Sequence, residues 1–178
     1  MKKFEPTVYV NNVFDIDIAQ LKKNGIKMLC FDLDNTLDKP NNMTQAMNDD
    51  MQKLLNNLQE YFEVMIVSNN MIKGRVASFA TVYNLNYIEA MKKPFKKNYQ
   101  HQNILKYNKE EVIFIGDKIV TDVLGANRLG YKSILVDPLY PKSNKWYNKI
   151  MSLFDEIILK LSTVKKKEYF NNLEQNEN

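Results

Sequence analysis

Cysteine is almost absent from this chain of 178 residues, which contains one cysteine, five glycines and five prolines. A single cysteine cannot form an internal disulfide framework or a cysteine-rich zinc module. The few glycines and prolines exclude a collagen-like chain, and the hydrophobic (44%) and charged (26%) fractions are close to those of soluble globular proteins. Because a chain of this length buries about two-thirds of its unfolded surface, we expect one globular domain.

Long apolar runs are also missing. The runs at 28–31 and 64–67 are far shorter than the roughly 18 residues that cross a bilayer, and no apolar stretch follows the basic start of the chain. We therefore expect a cytoplasmic protein. The net charge is +4, and the basic residues are almost all lysine, with arginine only at positions 75 and 128. This small surplus is weak support for an anionic partner, and we expect no nucleic-acid partner.

Short apolar runs alternate with segments of helical periodicity. The runs predict buried parallel strands at 26–31, 64–67, 112–115 and 134–136, with a weaker candidate at 86–90. Helices are predicted from an N-cap at Thr44 through Leu58, and over 72–83, 95–107 and 119–129. This alternation predicts an α/β fold, a three-layer α/β/α Rossmann-like sandwich around a mainly parallel, five-stranded sheet.

The C-terminal part predicts one further helix. Residues 142–164 form an amphipathic, basic pattern that we expect to end a single domain spanning 1–164, and 165–178 predicts a disordered tail. The apolar face of this helix is expected to pack on the domain. The alternative is a surface helix attracted to anionic lipid, which would give peripheral contact with the inner face of a membrane.

Two segments place carboxylates at predicted strand ends. Asp32 and Asp34 follow the first core strand two positions apart, and Asp117 and Asp122 follow the strand at 112–115. Buried carboxylates without a cation cost several kcal/mol each, and hard oxygen ligands suit Mg²⁺, which commonly bridges protein carboxylates and a substrate phosphate. Asp122 could equally be a residue at a helix start, where the helix dipole favours a negative charge.

Two other segments supply polar groups at strand ends. Ser68 can donate to a phosphate oxygen, and Asn69, which follows it, adds further amide donors. Lys93, which precedes Pro94, would offset the negative charge of a phosphate beside the aspartates. Taken alone, Ser68 could be a helix cap and Lys93 a solvated surface charge.

The order of these segments resembles the haloacid dehalogenase-like (HAD) phosphohydrolase superfamily. The stretches 32–37, 67–70, 93–94 and 116–130 are similar to the YqeG family of HAD subclass IIIA phosphatases, which resembles the mitochondrial and plastid phosphatidylglycerophosphatases. The likeness extends to about residue 160. This sequence departs from the family pattern at Lys118, where glutamine is usual. That difference leaves the substrate preference open.

The resemblance implies a role for each motif residue. Asp32 would attack phosphorus and form an aspartyl-phosphate, while Asp34 would protonate the leaving oxygen and then accept a proton from water. Mg²⁺ would be held by the Asp32 carboxylate, the Asp34 backbone carbonyl and Asp117, with Asp122 near its waters. Three side chains would hold the phosphoryl group and balance its charge, namely Thr36, Ser68 and Lys93.

These roles predict Mg²⁺-dependent hydrolysis of a phosphomonoester at a site without a large cap domain. The family likeness favours phosphatidylglycerophosphate as substrate, with a soluble phosphorylated metabolite as the alternative. Two hypotheses from other classes are a receiver domain that stores phosphate without hydrolysing a substrate, and a binding scaffold with a lysine-rich face. The scaffold leaves the four motifs unexplained.

Overall fold

A computed structural model describes residues 2–43, 47–89, 91–95, 99, 101–140, 153, 156–158 and 160. Within these residues, six strands form one sheet: β1 (Val8–Val10), β2 (Met28–Phe31), β3 (Glu63–Val67), β4 (Asn86–Ile88), β5 (Val112–Gly116) and β6 (Lys132–Val136). The strand order is β1-β6-β5-β2-β3-β4, and all neighbouring strands are parallel. The predicted α/β fold with a parallel sheet is confirmed.

Helices cover both faces of the sheet. The described helices are α1 (Ile18–Lys23), α2 (Asp49–Gln59), α3 (Arg75–Val82), α4 (Gln102–Leu105) and α5 (Leu124–Asn127). The first three pack against one face together with Leu29 and Phe31 of β2, and the last two pack against the other face together with Met28 and Cys30. Alternate residues of one strand thus enter opposite cores, as the pleat requires in a three-layer sandwich.

The prediction of five strands is wrong by one, because β1 was not predicted. Val8 and Val10 are buried, and β1 lies at the edge of the sheet beside β6, with Val8 opposite Ile134. A three-residue strand between polar segments has too little apolar pattern to stand out in the sequence. Its partner, which is more than a hundred residues away, is what stabilises it.

Helix boundaries also differ from the predicted ones. The cap of α2 is Asn48, whose side chain accepts a hydrogen bond of 2.9 Å from the Met51 backbone, whereas Thr44 lies outside the described residues. Helix α3 begins only after Gly74, whose φ of +79° is incompatible with a continuing helix. Of the predicted helix at 95–107, the structure shows α4, and residues 96–98 and 100 are outside the described part.

No separate cap domain interrupts the described residues, as predicted. Most of the predicted helix at 142–164 and the whole of the predicted tail at 165–178 lie outside the described residues. Of the few residues described there, Ile158 packs against the cluster of Ile119, Val123 and Leu135, while Leu153 and Ile157 are exposed. In the part of the chain that is described, no helix has both the length and the apolar character needed to cross a membrane.

The parallel arrangement brings the carboxyl ends of the strands to one edge of the sheet. Strands β5, β2 and β3 are adjacent in this order, with Phe31 of β2 paired with Ile115 on one side and with Ile66 on the other. Ligands of open α/β sheets bind beyond this edge. Asp32, Ser68 and Asp117 are therefore brought together although they are far apart in the sequence.

Candidate active site

Asp32 continues the line of β2 at the centre of the sheet. Its backbone N–H donates to the Ile115 carbonyl at 2.7 Å, and its side chain is buried. The chain then turns sharply, because the Leu37 and Asp38 amides both donate to the Leu33 carbonyl, at 2.9 and 3.0 Å. Asn35, at φ 68°, takes the left-handed conformation within this turn, which asparagine tolerates better than most residues. The turn places Asp34 beside Asp38, with which it forms an isolated β-bridge.

Three carboxylates meet at the strand ends. One oxygen each from Asp32, Asp117 and Asp122 lies within 4.8 Å of the other two. Burial raises the pKa of Asp117 to about 7, against the opposing effect of Lys118, whose ammonium lies 3.3 Å from the Asp117 carboxylate. In a protein without a bound cation, ionisation of Asp117 beside the other carboxylates is therefore unfavourable.

Lys93 is the main counter-charge of this acidic cluster. Its ammonium is 2.8 Å from Oδ1 of Asp32 and 2.5 Å from Oδ1 of Asp122, and its side chain is only 2% exposed. Burial alone would lower the pKa of Lys93, but the two carboxylates outweigh it and raise the pKa above its usual range. Lys93 is therefore charged, and it is not the solvated surface lysine of the alternative hypothesis.

Asn69 holds Lys93 in place. Its carboxamide oxygen accepts from the Lys93 backbone N–H at 2.7 Å, and its amide donates to the Lys93 carbonyl at 3.0 Å. The carboxamide of Asn69 is thus engaged through both its oxygen and its nitrogen. The sequence indicated a phosphate-binding amide here, and the structure adds a role in fixing the lysine.

Replacing Lys93 with methionine should destabilise the protein by about 3 kcal/mol or more at neutral pH. The substitution preserves the length of the side chain but leaves two buried carboxylates without their partner, which is the costly way to break a buried ion pair. Denaturant unfolding measures the effect, and Lys53→Met is the control because the Lys53 side chain is 79% exposed. Equal stability of the two variants would contradict the described pairing.

Asp122 fits against the end of β5 because residue 116 is glycine. A Cβ atom at Gly116 would lie 2.3 Å from Cγ of Asp122, a distance that real atoms do not adopt. Oδ2 of Asp122 accepts from the Lys118 backbone N–H at 3.1 Å and from the Thr121 hydroxyl at 3.2 Å. Thr121 and Asp122 belong to the π-helical turn Ile119–Val123, which precedes α5, and Lys118 is the N-cap of that turn. Asp122 is thus more than a helix-start residue, because it also pairs with Lys93.

Two hydroxyl groups lie buried at the same edge of the sheet. Oγ of Ser68 accepts from the Asn70 backbone N–H at 3.1 Å, which leaves the serine proton to be donated elsewhere. Oγ1 of Thr36 is buried and has no hydrogen-bond partner among the described residues. A buried hydroxyl without a partner is uncommon, and a hydrogen bond from this hydroxyl to a ligand oxygen would explain it.

The carboxylate of Asp34 lies outside the three-carboxylate cluster. Its Oδ2 accepts from the Asn70 side chain at 2.6 Å, and its Oδ1 accepts from Arg75 at 3.2 Å. A contribution of Asp34 to a metal would therefore come through its backbone carbonyl, as the family resemblance implies. Sequence reasoning missed Arg75; the signal that could have found it is that a chain rich in lysine has only two arginines.

The donor set fits Mg²⁺. Carboxylate oxygens are hard ligands, and few protein ligands are needed because this ion keeps several of its waters. When the carboxylates of Asp32, Asp117 and Asp122 are all ionised, their three negative charges exceed the two positive charges of Lys93 and Lys118 by one. A divalent cation beside Asp117 would attract its carboxylate and so offset the effect of burial that raises its pKa.

Comparison with known proteins identifies the family of the chain. Residues 1–140 match the model of the family described as "Mitochondrial PGP phosphatase". The chain is 36% identical over 143 residues to the "Probable phosphatase YqeG" of Bacillus subtilis (strain 168), an alignment that covers 78% of this chain and 80% of that protein.

Two solved structures share the fold. An uncharacterised protein from Listeria monocytogenes serotype 4b matches with a TM-score of 0.50 and 18% identity, over 78% of this chain and 100% of the other. A hypothetical protein from Xanthomonas campestris matches with a TM-score of 0.50 and 17% identity, over 77% of this chain and 76% of the other. At such identities the likeness supports the fold alone.

The fold and the family match define the class of the protein as a phosphatase of the HAD type. The chain belongs to the family described as "Mitochondrial PGP phosphatase", which confirms the resemblance to YqeG-type phosphatases seen in the sequence.

Proposed function

We propose that the protein hydrolyses phosphomonoesters with Mg²⁺ and forms an aspartyl-phosphate on Asp32. The observation that carries this proposal is the convergence of Asp32, Asp117, Asp122 and Lys93 at the carboxyl ends of adjacent strands. A nucleophilic carboxylate, a set of cation ligands and a counter-charge for phosphate are thereby combined in one place.

The first step transfers the phosphoryl group to the protein. A carboxylate oxygen of Asp32 attacks phosphorus, the bond between phosphorus and the ester oxygen breaks, and the leaving oxygen takes a proton from the Asp34 carboxyl group. An alcohol departs, and Asp34 is left as a carboxylate. Lys93, which pairs with Asp32 in the structure, can then donate to an oxygen of the incoming phosphoryl group.

The second step restores the protein. A water molecule attacks the phosphorus of the aspartyl-phosphate while Asp34 accepts its proton, and the bond between phosphorus and the Asp32 oxygen breaks. The products are inorganic phosphate and free Asp32, with Asp34 protonated again. One acid–base group thus serves both steps.

Three residues would ligate the cation, and a fourth would lie near its waters. The Asp32 carboxylate, the Asp34 backbone carbonyl and the Asp117 carboxylate would ligate Mg²⁺, with Asp122 near its waters. When bound, the ion neutralises charge that develops on the phosphoryl oxygens. The phosphoryl group itself would be held by the Thr36 and Ser68 hydroxyls, the backbone N–H of Asn69 and the ammonium of Lys93.

Phosphatidylglycerophosphate is the substrate that we favour. The family description names a PGP phosphatase, and the described residues contain no cap domain that would have to close over a large lipid substrate. Exposed Leu153 and Ile157, in the region of the predicted basic helix, agree with peripheral contact of a cytoplasmic protein with an anionic membrane face. A soluble phosphorylated metabolite is the alternative substrate.

Removal of divalent metal should abolish turnover. After treatment with EDTA we expect phosphate release to fall by at least about 100-fold and to return when Mg²⁺ is added, because charge stabilisation by the ion contributes several kcal/mol. The measurement uses phosphatidylglycerophosphate in vesicles and a panel of small phosphate esters. In parallel, Mg²⁺ should raise the Tm of the wild type more than that of Asp117→Asn.

The substrate panel also separates the competing hypotheses. Preference for the lipid would support the favoured substrate, and preference for a small ester would support the alternative. A receiver domain would take up one phosphate per chain and would release none from successive substrate molecules. Full activity in EDTA would overturn the metal assignment, and absence of multiple turnover on every ester would overturn hydrolysis.

A further inference from the structure

Arg75 is a buried arginine at the first position of α3. Its side chain is 2% exposed, and its terminal nitrogen Nη2 lies 3.2 Å from Oδ1 of Asp34, 2.9 Å from Oδ2 of Asp38 and 3.1 Å from the Lys39 carbonyl. The side chains of Asp34 and Asp38 are 18% and 15% exposed. An arginine and two aspartates thus form a mostly buried ionic chain that ends at the proposed acid–base group.

This ionic chain is poorly explained as a device for stability alone. Withdrawing three charges from water carries a penalty that well-packed apolar side chains of the same volume avoid. In addition, Nε of Arg75 is buried and has no hydrogen-bond partner among the described residues. A costly arrangement of this kind next to a reactive group suggests that its geometry serves the reaction.

The contacts fix the orientation of the Asp34 carboxylate from both sides. Arg75 donates to Oδ1 and the Asn70 side chain donates to Oδ2, at 3.2 and 2.6 Å. Asn70 is itself held, because its Oδ1 accepts from the Ile72 backbone N–H at 2.7 Å. Each oxygen of a carboxylate has two lone pairs, so one site per oxygen remains for a proton.

Asp38 anchors the other end of the ionic chain. Its backbone N–H donates to the Leu33 carbonyl, its carbonyl accepts from Asn35, and its Oδ1 accepts from the Lys39 backbone N–H at 2.8 Å. The turn that follows β2 therefore holds Asp34 and Asp38 at fixed positions, and Arg75 joins them from α3. This links the position of a helix on one face of the sheet to the orientation of the acid–base group.

We propose that Arg75, anchored by Asp38, is a positioning residue that aims the Asp34 carboxyl group at the leaving oxygen of the phosphate ester. The inference rests on the proposed function, because it assumes that Asp34 protonates the leaving group. The hydrogen bonds of Arg75 are made to Asp34, Asp38 and the Lys39 carbonyl. Its effect is exerted through the placement of Asp34, and geometric errors of about 1 Å in such groups cost roughly 100-fold in rate.

The choice of substrate makes this role measurable. An alkyl phosphate such as glycerol phosphate loses an alkoxide, which needs a proton as it leaves, whereas para-nitrophenyl phosphate loses a stable anion that needs none. The ratio kcat/KM reports the steps up to the first irreversible one, here the transfer to Asp32. A change that only loosens the fold should reduce this ratio for both substrates alike.

The test compares Arg75→Gln with Arg128→Gln, the same substitution at the other arginine of the chain, which is exposed. For Arg75→Gln we expect kcat/KM to fall by about 100-fold or more on glycerol phosphate and by less than about 3-fold on para-nitrophenyl phosphate, in keeping with the 100- to 10,000-fold range of general acid catalysis. Arg128→Gln should match the wild type on both. Asp34→Asn should show the same selective loss as Arg75→Gln.

A second variant covers the case in which Arg75→Gln does not fold. Asp38→Asn keeps the volume of the side chain and removes only the charge at the far end of the ionic chain, so we expect the same selectivity with a loss of about 10-fold on glycerol phosphate. Equal losses on the two substrates, or none, would overturn the positioning role alone. Turnover that persists in Asp32→Asn would overturn the proposed function and this inference with it.

Discussion

Asp32→Asn should reduce phosphate release by roughly 10,000-fold or more. Catalytic residues that act together lose most of their joint effect on the rate when the nucleophile among them is removed. The carboxamide that replaces the carboxylate is not a nucleophile towards phosphorus. Its oxygen can still accept from Lys93, which lies 2.8 Å from Oδ1 in the wild type, so the fold should persist. Initial rates of phosphate release measure the effect.

The control for this prediction is Asp49→Asn, the same substitution at an exposed residue in the first turn of α2. It should retain the wild-type rate, and circular dichroism should show that both variants are folded. Mass spectrometry offers an independent check, since the wild type trapped during turnover should gain one phosphoryl group that Asp32→Asn does not gain. Comparable rates in the two variants would exclude Asp32 as nucleophile.

Gly116→Ala should lower both activity and stability, although residue 116 contributes no side chain to the reaction. The new Cβ would require Asp122 to move, since its Cγ and Oδ2 would lie at 2.3 and 2.4 Å. Asp122 would then lose its contacts with Lys93 and the Lys118 backbone. We expect a loss of about 2 kcal/mol in the free energy of unfolding and of about 100-fold in kcat.

A double-mutant cycle with Asp122→Gly tests the stated cause. That substitution removes the three atoms that would lie nearest to the new Cβ, so Gly116→Ala should cost little further stability in the Asp122→Gly background. Urea unfolding of the four proteins gives the coupling energy. Additive effects would indicate that Gly116 is needed for a reason other than the approach of Asp122.

The sequence predicted the centre of the fold better than its edges. Strands β2, β3 and β5 are buried on both faces and leave continuous apolar runs such as Val64 to Val67, and the polar residues that follow them mark the strand ends. Strand β1 escaped prediction because its three residues are stabilised mainly by pairing with β6. The cap of α2 was misassigned because Thr44 and Asn48 are both good N-caps and local pattern does not distinguish them.

The candidate site shows the same division. Asp32, Ser68, Lys93 and Asp117 could be placed from the sequence because each follows a strand or belongs to a family motif. The role of Asn69 in holding Lys93 and the approach of Asp122 to Gly116 could not, because they depend on distances between loops that meet only in three dimensions. Arg75 was hidden within an ordinary helical pattern.

The edge position of β1 has a consequence for how the chain folds. Strand β1 can pair only after β6 has formed, and the hydroxyl of Tyr9 donates to Asp137 at 2.5 Å across a separation of 128 positions in the chain. Closing so long a loop is entropically costly and is repaid only once the rest of the sheet exists. During synthesis the residues of β1 would therefore emerge from the ribosome before those of β6 and could pair only once β6 is available. Docking of β1 onto the sheet should be among the last events in folding.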